Sequence, residues 1–548
     1  MPDRTAGGAG ILAILGLLLY VSPAAADNYP RQTGVDAIHY VFRLTLSDDT
    51  DEIVGESTAE LRFTRVGVTE AVLDLVSAAN GKGMTVAEVT SAGKPVPFTH
   101  EKGRLRLTLD PSPKEDERRK FTVKYHGVPA SGLRIGPNKY KERTFFSDNW
   151  PDKAHQWLPV IDHPYDKATS EFIVTAPAKY QVVANGLLQD VTDLGDGRRR
   201  THWKQSVPIA AWLNALGVAQ FAVRYADPVH GVPLQIWVFH QDRETGIPAL
   251  EAPARKAIEF YSEAVGPFPY EKLANVQAAG QRGGMELASS IFYGERDITG
   301  SRVPSLVAHE IAHQWFGDSV TEKDWDDIWL SEGFATYFAL LYAEHYDGRD
   351  AFVRGLKQSR DTVFRVEKQG EKRNPRLAII HDNLTDTSRI LNALVYQKGS
   401  WTLHMLRGQV GTDKFWAGIR EYYKRYRDGN AATSNLRLVM EELSGQDLNW
   451  FFKQWLRRPG SPVVDGTWRF DAATKKVIVE LTQKQPGEPY RLPLELGITQ
   501  DGVASQRIVK IELTKAKQTF EIDADAEPAA VVLDPNTWVL MQMKFAKR

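Results

Sequence analysis

Val307-Ala308-His309-Glu310-Ile311-Ala312-His313-Gln314-Trp315-Phe316 decides the reading, together with Trp329-Leu330-Ser331-Glu332-Gly333, whose glutamate follows His313 after 18 intervening residues. On an α-helix, positions i and i+4 lie about one turn apart on the same face, so His309 and His313 reach a common point. Glu310 follows His309 by about 100° of rotation and stands beside that point rather than on it. Leu306, Val307, Ala308, Ile311, Ala312, Trp315 and Phe316 leave the trio no solvent-facing side, which predicts a helix buried all round. Pro304 suits a first turn and Gly317 an ending, so the helix is expected over 304–316. Two imidazoles and a carboxylate buried without partners would cost on the order of several kcal/mol. A shared divalent metal removes that cost.

The third ligand comes from a second predicted helix. Trp329, Leu330, Phe334, Ala335, Tyr337, Phe338, Leu341 and Tyr342 form a broad apolar face running towards Gly348. A glutamate in a first turn ordinarily compensates the helix dipole, but at this spacing Glu332 completes a ligand set of His309, His313 and Glu332. Two imidazoles, one carboxylate and an open fourth position make up a catalytic Zn2+ site, one per chain. A structural site would be closed by four ligands, usually including thiolates, and the chain has no cysteine. Asp326 and Asp327 precede the helix, placed either to orient a ligand histidine from behind or to serve as ordinary helix-start acids.

The rest of the chain frames this site. Lys+Arg at 68 nearly cancel Asp+Glu at 69, which gives no support to a nucleic-acid or polybasic membrane role. Arg4, the apolar run Ile11 to Val21 and Ser22-Pro23-Ala24-Ala25-Ala26 read as a signal peptide over residues 1–26, cleaved after Ala26. The run is short for a membrane span, and no other long apolar stretch follows. The mature protein is therefore expected to be exported, periplasmic or secreted, with no stable membrane span after cleavage. Short alternating segments between turns (Tyr40–Leu46, Ser57–Phe63, Leu105–Leu109, Phe121–Tyr125) predict a large antiparallel β domain over 27–227. Helical periodicity dominates 228–460, interrupted by one strand-like stretch from Val276 to Phe292. Beyond Arg457-Arg458-Pro459-Gly460-Ser461-Pro462 alternation returns, predicting a β-sandwich over 461–548. The fold class is α+β, multidomain.

Two further pieces bear on chemistry. Gly283-Gly284-Met285-Glu286-Leu287 precedes the metal helix, and glycines entering a strand let another backbone approach. An exposed strand edge can pair with an extended peptide, and Glu286 there can hold an ammonium group or simply face solvent. Tyr396-Gln397-Lys398-Gly399 lies in a helical segment expected over Ile390–Leu406. A phenol near the metal can donate to an oxyanion, although Tyr396 by itself also reads as a packing residue. Asn383-Leu384-Thr385 matches a glycosylation acceptor.

In combination these pieces resemble the aminopeptidase N family of gluzincins, metallopeptidase family M1. Asp36 to Leu46 resembles that family's opening strand, Leu158 to Pro164 with Lys167-Ala168 its Pro-x-x-Asp-x-Pro segment, and Gly266-Pro267-Phe268-Pro269-Tyr270 its lead-in to the substrate strand. The resemblance covers about residues 30 to 545. It implies an N-terminal β saddle, a thermolysin-like α/β catalytic domain and a C-terminal β-sandwich, with the chain stopping before the family's frequent helical C-terminal domain. It implies zinc on His309, His313 and Glu332, Glu310 as general base, Tyr396 as transition-state donor, and Gly283, Gly284, Met285 and Glu286 as the substrate strand. Glu286 would bind the free N-terminus of a peptide substrate. The family's Asn after this glutamate is Leu287 here. In the first-domain loop Phe145 to Trp150, a usual Gln is Asp148 and a usual Glu or Gln is Trp150. Asp148 would then share the amine with Glu286 while Trp150 narrows the pocket. Rival readings are a zinc endopeptidase, a non-catalytic peptide-binding member of the fold, and the family's epoxide-opening leukotriene hydrolase branch.

Overall fold

The computed structural model describes residues 27–370, 377–380, 387, 390–502 and 505–548. The expected signal peptide over 1–26 and the Asn383-Leu384-Thr385 motif lie outside them. Among the described residues no helix is long and apolar enough to cross a membrane.

Alternation sets the first layer. Ile53–Phe63 buries every second residue, as does Lys167–Pro177, the two-residue period that puts one face of a sheet on a core. These strands belong to an eight-stranded sheet ordered Leu187–Asp193, Arg198–Ala210, Lys167–Pro177, Val35–Thr45, Ile53–Phe63, Arg118–Val128, Gly83–Ser91 and Lys94–Pro95. The expected antiparallel domain holds one parallel pair. Val35–Thr45 runs parallel to Lys167–Pro177, with His39 opposite Thr169 and Thr45 opposite Thr175. A long excursion between the two strands brings the chain back in the same direction, which a tight hairpin cannot do. A second sheet contains Leu133–Pro137 and Arg143–Ser147, and Asp148 and Trp150 follow directly on the latter strand.

The centre is a five-stranded sheet ordered Phe221–Val229, Val232–Phe239, Leu273–Ala278, Ser290–Gly294 and Gly284–Met285. The single strand expected over 276–292 is three strands. Gly280 and Gly283, at φ +73° and +66°, turn the chain between the first two of them, a conformation that glycine adopts without steric cost. Gly284–Met285 is left as the antiparallel edge, Gly284 facing Tyr293 and Met285 facing Phe292. Helices Val303–His313 and Trp329–Asp347 pack on each other below this edge. Lys167 ties the first domain to the loop between them, its buried Nζ donating to the carbonyls of Asp318, Ser319 and Gly429 at 2.9–3.2 Å.

The last strands form two sheets, one ordered Lys517–Asp523, Lys476–Gln483, Val463–Asp471, Gln542–Lys547 and one ordered Arg507–Leu513, Leu492–Thr499, Ala530–Leu533. The fold is thus α+β: a β-rich N-terminal part, an α/β centre and a C-terminal pair of sheets.

Candidate metal centre

The motif helix spans Val303–His313 with Pro304 in its first turn, and it ends three residues before the expected Phe316. Beyond His313 the backbone tightens, Gln314 N bonding the Ile311 carbonyl, and Gly317 at φ +116° turns the chain away. His309 and His313 face the first turn of helix Trp329–Asp347, where Glu332 sits.

The geometry is a small triangle. His309 Nε2 and His313 Nε2 stand 3.2 Å apart, and Glu332 Oε2 is 3.4 Å from the first and 3.3 Å from the second. His313 Nδ1 lies 3.3 Å from the Phe316 carbonyl and 3.0 Å from Ser331 Oγ. A carbonyl only accepts, so the proton is assigned to Nδ1 and the Nε2 lone pair points into the triangle. Glu332 Oε2 is buried without a hydrogen-bond partner. Lone pairs converging in this way repel unless a cation lies among them. Four ligands about 2.0–2.1 Å from a tetrahedral ion of zinc's size stand about 3.3 Å from each other, which matches the observed edges. The donor set fits such an ion.

Two more carboxylates crowd the same point. Ligating atoms of Glu286, Glu310 and His313 all lie within 4.8 Å of one another, and Glu286, Glu310 and Glu332 are each no more than 5% exposed. Burial, and next the charge of Glu286, push the Glu310 carboxyl well above the ordinary carboxylate range. Burial likewise raises Glu286, against the pull of His313. Glu332 differs: burial pushes it up, but the two imidazoles outweigh burial and hold it down at about 2. The site therefore gathers three buried carboxyl groups that a cation, metal or ammonium, would hold ionised.

Backbone packing determines where these groups stand. A Cβ built on Gly284 would overlap Cγ, Cδ and Oε1 of Glu310. The close approach that a glycine-entered strand allows is therefore that of the Glu310 carboxylate. Gln314, whose role sequence reasoning missed, clamps this strand. Its Nε2 donates to the Glu286 carbonyl at 2.9 Å and to Asp318 Oδ2 at 2.7 Å, while its Oε1 accepts from Ser289 N at 2.8 Å. The only hint in the sequence is its place directly after His313.

Tyr396 enters from the other side. The helix expected over 390–406 is a π-helical turn, Leu394–Lys398, leading into an α-helix, Gly399–Val410. Such wide turns occur frequently at functional sites. Gly399 packs on Gly333, the residue after Glu332; a Cβ on Gly333 would come within 3.0 Å of Gly399 Cα. The Tyr396 ring lies 6.2 Å from that of His309 with the planes 16° apart. Burial, reinforced by the charge of Glu332, raises the phenol well above its ordinary value, so at neutral pH it is a donor.

These groups line a cleft of about 410 Å³, closed by Gly283, Gly284 and Met285 on one side and by Leu306, Leu391 and Trp150 elsewhere. Trp150 is held edge-on by Trp212 and Trp325, with centroids 4.7 and 5.2 Å away. Asp148 is not among the lining residues. Its carboxylate is taken by Arg134, whose Nε and Nη2 donate to Oδ2 at 2.9 and 2.6 Å. Asp327 turns away as well, accepting from the backbone and hydroxyl of Thr433. Behind His313 stand Ser331 and the Phe316 carbonyl instead.

Comparison with known proteins gives the family. Residues 36–213 match the Peptidase M1 N-terminal domain and residues 249–455 the Peptidase family M1 domain. Probable aminopeptidase 2 of Sulfurisphaera tokodaii is 27% identical over 85% of this chain and 59% of its own length. Glutamyl aminopeptidase of Mus musculus is 27% identical over 64% of this chain and 38% of its own. The chain thus spans less than two thirds of the length of these curated relatives. An M1 zinc metallopeptidase of Deinococcus radiodurans superposes with a TM-score of 0.66 at 26% identity, covering 79% of this chain and 95% of that one. A mutant form of the Deinococcus radiodurans enzyme, crystallised with a Tyr-Ser-Ala substrate, superposes with a TM-score of 0.67 at 26% identity, covering 79% of this chain and 96% of that one. With both family domains matched in order and the motif residues gathered around one point, this chain belongs to peptidase family M1.

Proposed function

We propose that this chain is a zinc-dependent aminopeptidase that hydrolyses the N-terminal peptide bond of peptides. One observation carries the reading: a metal-sized triangle of His309, His313 and Glu332 with two further buried carboxylates, Glu310 and Glu286, against it. When bound, zinc supplies a Lewis acid that polarises a carbonyl and makes water acidic near neutral pH.

The chain's own residues do the rest. Glu310, its proton affinity raised by burial and by Glu286, accepts the proton of the attacking water and returns it to the leaving amine. Tyr396 donates a hydrogen bond to the oxygen that gains charge, a contribution worth about 100- to 1000-fold in rate. Glu286, on the edge strand, faces the ammonium of the substrate's first residue. Asp148 is neutralised by Arg134, so Glu286 holds the amine without it. Trp150 and Met285 shape the space for the first side chain. The names of the relatives support exopeptidase action.

The test is a panel of aminoacyl reporter amides and their N-acetylated forms, assayed with and without chelator. Cleavage confined to free amines and abolished by chelation is expected. Equal cleavage of acetylated substrates would make the protein an endopeptidase, and no cleavage by metal-loaded protein would leave a peptide-binding module. Export to the periplasm or medium is part of this proposal and rests on residues 4–26. N-terminal sequencing of the mature protein should begin at Asp27.

A further inference from the structure

Lys398 belongs to the Tyr396-Gln397-Lys398-Gly399 segment, and hydrolysis as described above makes no use of it. Its side chain is 1% exposed. Nζ donates to Glu367 Oε1 at 2.8 Å and to the Gly460 carbonyl at 2.6 Å. Ser461 Oγ donates to the same glutamate oxygen at 3.0 Å. The Gly460 carbonyl also accepts from Tyr490 OH at 3.0 Å, and the Arg458 guanidinium stacks 3.6 Å from the Tyr490 ring centroid. Three separate parts of the chain therefore meet at one ammonium: the π-turn, helix Arg349–Gly370 that carries Glu367, and the linker into the C-terminal sheets.

A buried ion pair is a poor source of stability, because desolvating both charges offsets most of their attraction. What it supplies is geometry: a two-pronged, directional hold on a backbone. The turn it holds is the wide π-turn whose far side is pressed on Gly333 through Gly399, and whose middle residue is Tyr396. Without that hold, the turn would be free to relax to ordinary helical pitch, rotating the phenol off the cleft.

We propose that Lys398 is a positioning residue for Tyr396, gripping the π-turn between Glu367 and the Gly460 carbonyl so that the phenol stays aimed at the metal centre. By this contact the linker Arg458–Ser461 belongs to the active-site scaffold. The inference rests on the proposed role of Tyr396.

The experiment is a double-mutant cycle in the full chain, with Lys398→Met, Tyr396→Phe and the combination, each checked for bound metal and for Tm. Lys398→Met is expected to lower kcat by about tenfold or more, since small misplacements of reacting groups are costly. KM should stay within about twofold and the metal stoichiometric. In the Tyr396→Phe background, Lys398→Met should cost nothing further, because the group it positions is gone. Wild-type kcat in Lys398→Met, an effect confined to KM, or the same fold-loss in both backgrounds overturns the proposal. If Lys398→Met does not fold, the charge-neutral pair Lys398→Met with Glu367→Gln takes its place under the same criteria. Should Tyr396→Phe alone leave kcat unchanged, the mechanism itself fails and this inference falls with it; a loss in Tyr396→Phe with none in Lys398→Met fails the inference alone.

Discussion

Gly284→Ala adds one methyl group at the point where the edge strand crosses the Glu310 carboxyl. The added Cβ would sit closer than 3.0 Å to three Glu310 atoms. Comfortable carbon contacts need about 3.5–4.0 Å, so the carboxylate must retreat by more than about 1 Å or the edge strand must lift. The strand is two residues long and its next residue is clamped by Gln314. Glu310 is attached at the middle of a buried helix. Neither yields freely, and overpacking of this kind costs about 1–3 kcal/mol. The functional cost is larger, because a general base must stand about 2.6–3.2 Å from the atom whose proton it takes, and a 1 Å misplacement costs about 100-fold. Gly284→Ala should therefore lower kcat about 100-fold. Zinc should stay stoichiometric, since the atoms nearest the new methyl belong to Glu310 and not to His309, His313 or Glu332. Steady-state kinetics on an aminoacyl amide, with metal analysis and a denaturation curve on the same preparation, decide it. Wild-type kcat in a metal-replete variant would refute the claim that the strand backbone sets the position of the base.

Other expectations follow from the same structure. Glu310→Gln should keep its metal and lose about 100- to 10,000-fold in kcat; near-normal turnover would remove Glu310 from the base role. Trp150→Ala removes an aromatic wall packed by Trp212 and Trp325. It should cost about 3–5 kcal/mol of stability and flatten the preference for the substrate's first residue, read as kcat/KM across a panel of amides; an unchanged profile argues against Trp150 as a specificity wall. Chelation should lower Tm, and added zinc should restore it, because an ion bound only by the folded state stabilises by about 2.7 kcal/mol at a hundredfold excess over Kd; a Tm indifferent to chelator contradicts the site. Lys272 is fully buried, donating to the carbonyls of Ala184 and Ser289 and to Ser290 Oγ. Burial holds it down at about 7, against 10.5 in the unfolded chain. Between those values the unfolded chain binds more protons, so this lysine's contribution to stability rises with pH across that window. Urea unfolding at pH 7 and 9.5 should show a steeper rise in wild type than in Lys272→Met, and equal slopes would refute the assignment.

Much of the site was legible because its logic is local. His309, Glu310 and His313 are bound to each other by helical period, and an apolar surround announces burial before any tertiary contact is known. Glu332 was readable from a second periodic segment and a spacing. The outcomes that periodicity did not reveal depend on side-chain contacts and on backbone turns. Asp148, placed in the pocket by alignment, is claimed by Arg134 from a neighbouring strand. Asp327, read either as support for a ligand histidine or as a helix-start acid, accepts from Thr433, and the backing of His313 falls to Ser331 and a carbonyl. The strand expected over 276–292 breaks first at Gly280 and Gly283, whose positive φ no hydrophobic pattern reveals.

By itself the sequence determined that His309, Glu310 and His313 share one helix and pointed to Glu332 beside them and to the order of β, α/β and β segments, since periodicity and residue chemistry act within a few turns of chain. Tertiary structure alone decided which carboxylate reaches the cleft, that Tyr396 rides a π-turn, and that lysines 167, 272 and 398 are buried among carbonyls and a carboxylate. The reason is physical: a buried polar group goes where its partners are, and partners far apart in the chain leave no repeat in the sequence to show it.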